Sequence, residues 1–163
     1  MEQIIKLIFV TFIPAIELRG SIPLGILSYK MHWLNVFIIC VITNIILGII
    51  FYIFLDTVVK LLRKMKWFEN LYLRVLVRNQ RKVEKLVEKW GELGIAIFIG
   101  IPLPGTGAIS GAIGSYALGL KSRKFFVANA IGVLIAGILV TAITLIFKVT
   151  SAKILEIFFK APQ

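Results

Sequence analysis

The side chains with most capacity for chemistry are Glu17 and Arg19, which lie two positions apart within an otherwise apolar stretch. A charge at the centre of a membrane helix costs about 2.5–3.5 kcal/mol on insertion scales, so this pair requires each other or a ligand. One interpretation is a structural ion pair that stabilises a loop. The other is a binding site, in which the planar fork of Arg19 holds an anionic headgroup and Glu17 orients it or exchanges a proton.

A second polar cluster, at residues 102–111, has no charge but is rich in glycine and carries the hydroxyls of Thr106 and Ser110. A half-helix that begins near Thr106 would point unsatisfied N–H groups at the middle of the membrane, which is an anion site. The cluster is not a Walker loop, because no Gly-Lys-Ser/Thr follows. The candidate substrate-binding residues of the two clusters are Glu17, Arg19, Gly20, Pro104, Gly105, Thr106, Gly107 and Ser110.

Asn44 and Asn129 complete the set of candidate binding residues. Each is a polar residue inside an otherwise apolar run, and the two runs share the similar fragments that begin at these asparagines. A buried amide in a membrane bundle needs a partner, so either residue could bond to a neighbouring helix or contact substrate.

Metal, cofactor and enzyme chemistry find little support in the sequence. Cys40 and His32 are the only residues of their types, so no disulfide or thiol cluster is available. His32 precedes Trp33, a pairing that suits a membrane interface. Because there is no zinc spacing, catalytic triad or paired carboxylate, we predict no metal site, no cofactor and no enzymatic activity.

The composition indicates whether water or lipid surrounds these residues. The hydrophobic fraction is 59%, which excludes an ordinary soluble domain, while the net charge is +11. The basic residues alternate with apolar runs too long to be exposed to water. They therefore predict cytoplasmic loops that contact anionic lipid, and no nucleic-acid partner.

Two apolar runs without charges, 34–55 and 125–147, are long enough to cross a membrane as helices. Two others, 4–29 and 93–120, are broken by proline and glycine near their middle. Each broken run has two legs that cover about half of a 30 Å hydrocarbon core. We predict that each forms a re-entrant helical hairpin, since irregular backbone is tolerated in a membrane only where protein or a polar cavity covers it.

The charged segments set the expected topology. Residues 60–92 have apolar side chains at helical spacing among many basic ones, which predicts a cytoplasmic amphipathic helical segment. Lys121, Arg123 and Lys124 should lie on the same side, so the run 93–120 must enter and return there. The two halves would then be inverted repeats. The alternative is that the run 4–29 crosses as one kinked helix.

The predicted fold is an all-α integral membrane protein with two re-entrant hairpins and two transmembrane helices. One membrane domain covers 1–163, divided into a first repeat (1–59), a basic linker (60–92), a second repeat (93–148) and an amphipathic tail (149–163). So small a bundle could be completed by a homo-oligomer. We expect a multi-pass protein of the cell membrane.

The motif from Pro14 to Gly25, PAIELRGSIPLG, followed by PLPGTGA from Pro102, resembles the small multidrug export proteins. That family is similar in turn to the DedA membrane proteins, although this chain is shorter and lacks a second arginine in the later hairpin. The wider kinship implies movement of phospholipids or polyprenyl-phosphate carriers across the bilayer, linked to protons. The family's own name implies drug efflux.

Three hypotheses therefore stand at the level of sequence. The first is a translocase for a phosphate-headed lipid whose head lies between the two hairpin tips. The second is a proton-coupled exporter of small molecules. The third is a structural membrane protein.

Overall fold

The computed structural model describes residues 1–14, 16–62, 87, 91, 93–103 and 105–160. The described residues form helices and no strand, which confirms the predicted all-α class. Most of the predicted amphipathic segment at 60–92 lies outside the described residues, as do Pro104 and the side chains of the tail from 153 onward.

Six helices follow one another along the described chain. They are α1 (Glu2–Phe12), α2 (Glu17–Pro23), α3 (Trp33–Leu62), α4 (Leu93–Gly100), α5 (Ala108–Ala117) and α6 (Ser122–Lys160), and a π-helical segment, Leu24–Ser28, directly continues α2.

The two longest described helices, α3 and α6, contain the apolar runs 34–55 and 125–147 and are candidate membrane spans, as predicted. Their apolar parts, Trp33–Val59 and Ser122–Ala152, contain 27 and 31 residues. At 1.5 Å per residue both exceed the roughly 30 Å of a hydrocarbon core. They have the length and the composition to cross a membrane.

These two helices run antiparallel to each other. The ring of Tyr52 stacks on that of Phe125 with 4.7 Å between centroids. Further along α6, Gly137 packs against Val41, where an added Cβ would lie 2.6 Å from a valine methyl. Later residues of α6 thus meet earlier residues of α3, so the end of α3 and the start of α6 share one end of the bundle.

Helices α1 and α2 fold back on each other around Ile16. The hydroxyl oxygens of Thr11 and Ser21 are 2.8 Å apart, and the methyl of Leu7 closely approaches Gly25. Both contacts join residues equally distant from Ile16, so the two legs are antiparallel. The break falls beside Pro14, one of the prolines that predicted it.

Pro23 was predicted to contribute to this break, and that expectation is wrong. The chain remains helical through Pro23. Because proline has no N–H to donate, the hydrogen bonds shift register after it, and the N–H of Tyr29 binds the carbonyl of Leu24 five residues earlier. A π-helical segment thus absorbs the missing donor without ending the helix.

Helices α4 and α5 form the second broken segment. Between Gly100 and Ala108 the chain leaves helical geometry, and the side chain of Ile99 lies against Gly111. With 8 and 10 residues, these helices are about 12 and 15 Å long. Each reaches only about halfway through a hydrocarbon core.

Packing between the halves follows one rule. The first leg of each broken segment packs on the long helix of its own half, α1 on α3 and α4 on α6. The second leg also packs on the long helix of the other half, α2 on α6 and α5 on α3. The pattern is unchanged when the halves are exchanged, and it brings the two breaks together in the centre.

Close approach of α3 to α6 depends on Gly48. A Cβ at this position would lie 2.6 Å from the amide nitrogen of Asn129, which donates a hydrogen bond to the carbonyl of Ile45. Asn129 therefore occupies the space that a side chain at position 48 would need.

We expect Gly48→Ala to lower the free energy of unfolding, because this overlap costs about 1–3 kcal/mol. Alanine in a helix normally gains up to about 1 kcal/mol over glycine, which the overlap outweighs. Thermal unfolding in detergent measures the change. In an Asn129→Ala background the space is free, so Gly48→Ala should become neutral or stabilising. Equal destabilisation in both backgrounds would contradict this account of the α3–α6 contact.

Candidate functional site

The site lies where the two breaks meet, beside the middle of α3. Asn44 shows where the site lies along α3, since the amide nitrogen of Asn44 is 3.5 Å from a carboxylate oxygen of Glu17. At 1.5 Å per residue Asn44 is about 16 Å from Trp33 and about 22 Å from Val59 along the helix. The charges of the first break are therefore held near the centre of the apolar span.

The carboxylate of Glu17 binds the N-terminus of α5. Oε2 accepts a hydrogen bond from the N–H of Ala108 and Oε1 one from the N–H of Ile109, each at 3.2 Å. Oε2 also accepts from Nη1 of Arg19 at 2.9 Å. These N–H groups have no partner within their own helix, and the helix dipole favours a negative charge there. Glu17 thus caps a helix that begins 91 residues later in the chain.

Arg19 binds the opposite end of the second break. Its Nη2 donates to the carbonyls of Ile99 and Ile101 at 3.0 and 3.1 Å, and to the hydroxyl of Thr106 at 3.0 Å. The carbonyls belong to the C-terminal end of α4, where a helix dipole favours a positive charge. Each charge of the ion pair therefore faces a helix end of opposite polarity.

Thr106 bonds to the backbone of the second break as well as to Arg19. Its hydroxyl oxygen is 2.7 Å from the carbonyls of both Ile101 and Leu103. The hydroxyl can donate to one carbonyl while accepting from the guanidinium. A single small side chain thus holds the irregular backbone around the arginine.

Glycine is required at position 107 for two reasons. Its φ of 131° is one that other residues rarely adopt, and a Cβ there would overlap the side chains of both Glu17 and Arg19. Gly105 also has a positive φ, of 83°. Gly20 is different, because a Cβ there would overlap Ile16 of its own hairpin rather than the second break.

The two charges differ in their exposure. The side chain of Glu17 is 3% exposed, whereas that of Arg19 is 14% exposed and its Nε finds no acceptor among the described residues. Around the arginine, Ile101 and Leu103 expose apolar surface. Access to the pair is therefore from the arginine side, past apolar residues of the second break.

The structure brings five of the ten candidate residues together. Arg19 contacts Glu17 and Thr106, Gly107 lies against both charged side chains, and Asn44 lies at the carboxylate. Asn129 lies apart in the seam between α3 and α6. Ser110 follows the two capping N–H groups on α5 and makes none of the hydrogen bonds described above, while Pro104 is outside the described residues.

Four backbone groups of apolar residues hold the pair: the N–H groups of Ala108 and Ile109 and the carbonyls of Ile99 and Ile101. The sequence indicated free N–H donors at a helix start near Thr106, but it did not indicate that Glu17 would bind them. It did not reveal the two carbonyls that accept from Arg19.

Removing one charged side chain of the pair should leave the other charge buried without a partner. We expect Glu17→Ala to lower the free energy of unfolding by about 3–5 kcal/mol, because Arg19 and the N-terminus of α5 lose their anion together. The double change Glu17→Gln with Arg19→Gln should retain much of that stability. Chemical or thermal unfolding in detergent gives the values.

Glu2→Ala is the matched control for this experiment. Glu2 also pairs with a cation, Lys6, but both side chains are more than half exposed. An exposed pair contributes about 1 kcal/mol or less. If the effects of Glu17→Ala and Glu2→Ala were equal, the buried pair would not stabilise the junction of the two broken segments.

Comparison with known proteins agrees with the motifs at the two breaks. The family model of small multi-drug export proteins matches residues 17–139, which is more than half of the chain. The matched region runs from Glu17 into α6 and includes the whole of the second break. No curated protein and no solved structure matches the chain. With two apolar helices long enough to span a bilayer, the chain belongs to the small multi-drug export protein family of membrane proteins.

Proposed function

We propose that the protein is a transporter of the cell membrane that moves a phosphate-headed lipid between leaflets. The observation that carries the proposal is the set of donors around the Glu17 carboxylate. Two helix N–H groups, a guanidinium and the amide of Asn44 converge on one anion near the centre of the span. Such donors bind a phosphate for the same reasons that they bind a carboxylate.

In the described conformation this anion position is filled by the protein itself. A substrate phosphate would therefore enter by exchange, replacing the carboxylate at Ala108, Ile109 and Arg19. Protonation of Glu17 would favour the exchange, since a neutral carboxyl competes poorly for these donors. The N–H groups of Ala108 and Ile109 and Nη1 of Arg19 then have an acceptor both before and after the exchange, which avoids leaving these donors unsatisfied in an apolar surrounding. This scheme links translocation to protons.

The apolar surface beside the arginine suits the rest of such a substrate. Ile13 and Pro14 of the first break and Leu103 of the second are exposed. An acyl or prenyl chain could stay among these residues and in the bilayer while only the headgroup reaches Arg19. A water-soluble substrate would gain nothing from this exposed apolar surface.

The proposal includes a membrane topology for the two broken segments. No single leg of either broken segment is long enough to cross, and the legs of the first are antiparallel, so in this proposal each segment enters and leaves on one side as a re-entrant hairpin. The basic residues Lys121, Arg123 and Lys124 precede or begin α6, beside the end of α3, which the positive-inside rule assigns to the cytoplasm. Lys30 and Lys148 are then external, and the halves are inverted repeats.

Accessibility of single cysteines tests this topology. In a chain with Cys40→Ala, we expect Glu2→Cys and Lys30→Cys to react with an impermeant thiol reagent from outside the cell. Ser122→Cys should react only from the cytoplasmic side. Reaction of positions 2 and 30 from opposite sides would replace the first hairpin by a kinked spanning helix.

Small-molecule export is the second candidate, and the family description favours it. In this case Glu17 would exchange Arg19 for a proton or a cationic substrate, and Asn44 would help to hold the carboxylate. The substrate would then compete with the guanidinium rather than with the carboxylate. The two candidates therefore differ in which charge is essential.

Arg19→Lys separates the candidates. Lysine keeps the charge but not the planar fork, and loss of a charged hydrogen bond is worth about 1.5–3 kcal/mol, so flipping should fall about tenfold or more. The assay is movement of a labelled phospholipid or polyprenyl phosphate in proteoliposomes, with unfolding measured for the same sample. Glu2→Gln serves as the control and should flip normally.

Two outcomes would reject the lipid proposal. One is normal flipping by a well-folded Arg19→Lys protein or by the Glu17→Gln, Arg19→Gln double variant. The other is efflux of an organic cation that is lost with Glu17→Gln but unaffected by Arg19→Lys, which would establish the exporter instead.

A further inference from the structure

Asn44 is a buried amide that makes little use of its hydrogen-bonding groups. The residue is 1% exposed, and its Oδ1 has no donor among the described residues. Its Nδ2 lies 3.5 Å from Oε2 of Glu17, which is longer than the roughly 2.7–3.2 Å of an ordinary N–H···O bond. Within the described part of the chain, no second bond fixes which end of this amide faces the acid.

The other buried asparagine shows what a fixed amide looks like. Nδ2 of Asn129 donates to the carbonyl of Ile45 at 3.1 Å. Reversing that amide would lose the bond and place its oxygen against the carbonyl oxygen. Reversing the amide of Asn44 would lose only the long contact with Glu17, so Asn44 is the one of the two that can turn.

The remaining groups bonded to the carboxylate of Glu17 are all donors. They are the N–H groups of Ala108 and Ile109 and Nη1 of Arg19. An ionised acid accepts from all of them, but a protonated acid also has an O–H to donate. When buried, that O–H needs an acceptor. Among the described neighbours of the carboxylate, Oδ1 of Asn44 is the acceptor that lacks a donor of its own.

Few other titratable groups surround this contact in the described structure. Arg19 is the charged side chain in contact with Glu17. Cys40 of α3 is hydrogen-bonded to hydroxyls of α1 and α2. The helices α4 and α5 and the run 125–147 of α6 contain no charged residue. Tyr116 of α5 lies about 12 Å along that helix from the capping N–H groups. Protonation of Glu17 is therefore met by Arg19 and Asn44.

We propose that Asn44 is a positioning residue that holds the protonated form of Glu17, its amide reversing so that Oδ1 accepts the new O–H from Oε2. The inference rests on proton uptake by Glu17, which is part of the proposed function. An O–H···O bond is about 2.5–3.0 Å long, so the neutral acid would lie roughly 0.5–1 Å nearer α3 than the ionised acid. This movement takes Oε2 away from Ala108 and Arg19 and leaves their donors to the incoming anion.

Infrared spectroscopy observes the protonated acid directly and needs no substrate. Difference spectra between acidic and neutral samples contain the carbonyl band of each acid that takes up a proton, and the chain has eight Asp and Glu residues. The band that disappears with Glu17→Gln belongs to Glu17. A carboxyl that donates a hydrogen bond absorbs at a lower frequency than a free one, so Asn44→Leu should move this band to a higher frequency.

Two further variants make the measurement specific. Asn44→Ala removes the amide without adding bulk and should shift the Glu17 band in the same direction, even if leucine disturbs the packing. Asn129→Ala removes the other buried asparagine with an unpartnered Oδ1 and should leave the frequency unchanged. Glu17→Gln is combined with each variant to assign the band, and unfolding in detergent is measured for the same samples.

The possible failures are distinguishable. A Glu17 band that keeps its frequency in both Asn44→Leu and Asn44→Ala would reject the role of Asn44 and leave the proton-linked exchange intact. An equal shift with Asn129→Ala would also reject it, because the band would then report packing of the bundle. Absence of a Glu17 band from the folded protein at acidic pH would remove both this role and the proton link, even where flipping persists.

Discussion

The constraint on which the structure depends is the partnering of two charges placed near the centre of an apolar span. Neither Glu17 nor Arg19 could remain there alone, since the cost of an isolated charge in such a surrounding is several kcal/mol. Each is matched by the other and by a helix end of opposite polarity. The break in the second segment creates these two ends, so the irregular backbone of one broken segment is the partner of the side chains of the other.

The long helices α3 and α6 set the position of the contact between the charged pair and the second break. Because α3 and α6 are antiparallel and pack closely at Gly48, the second legs of the two broken segments lie at the same level along the bundle. The exchange of partners between halves then directs the second break toward Glu17. A shift of about one helical turn, some 5 Å, would separate the carboxylate from the N–H groups of Ala108 and Ile109.

Much of this arrangement could be predicted from the sequence because apolar length and proline position are local properties. The spans at 34–55 and 125–147 fall inside α3 and α6, and the breaks fall beside Pro14 and in the segment that begins with Pro102. The prediction for Pro23 was wrong because a π-helical segment can accommodate a proline within a helix. The other prolines and glycines near Pro23 made it look like part of the break.

The partners of the charges were less predictable, since backbone donors and acceptors carry no residue identity. The half-helix expected near Thr106 begins at Ala108, but its anion is a side chain of this chain. Similarly, Asn44 and Asn129 occupy matching places in the sequence and yet have different partners. One contacts Glu17 and the other a backbone carbonyl of α3.

The two broken segments differ in charge, which affects how their junction can respond to a proton. If both segments carried an acid and an arginine, proton uptake at one acid would leave a second ion pair in place. Here one segment supplies both charges and the other supplies only helix dipoles. Neutralising Glu17 would therefore leave the N-terminus of α5 without an anion and Arg19 with only the carbonyls at the end of α4 and the hydroxyl of Thr106 as partners. In the proposed exchange, this is the state in which a second anion would replace the carboxylate.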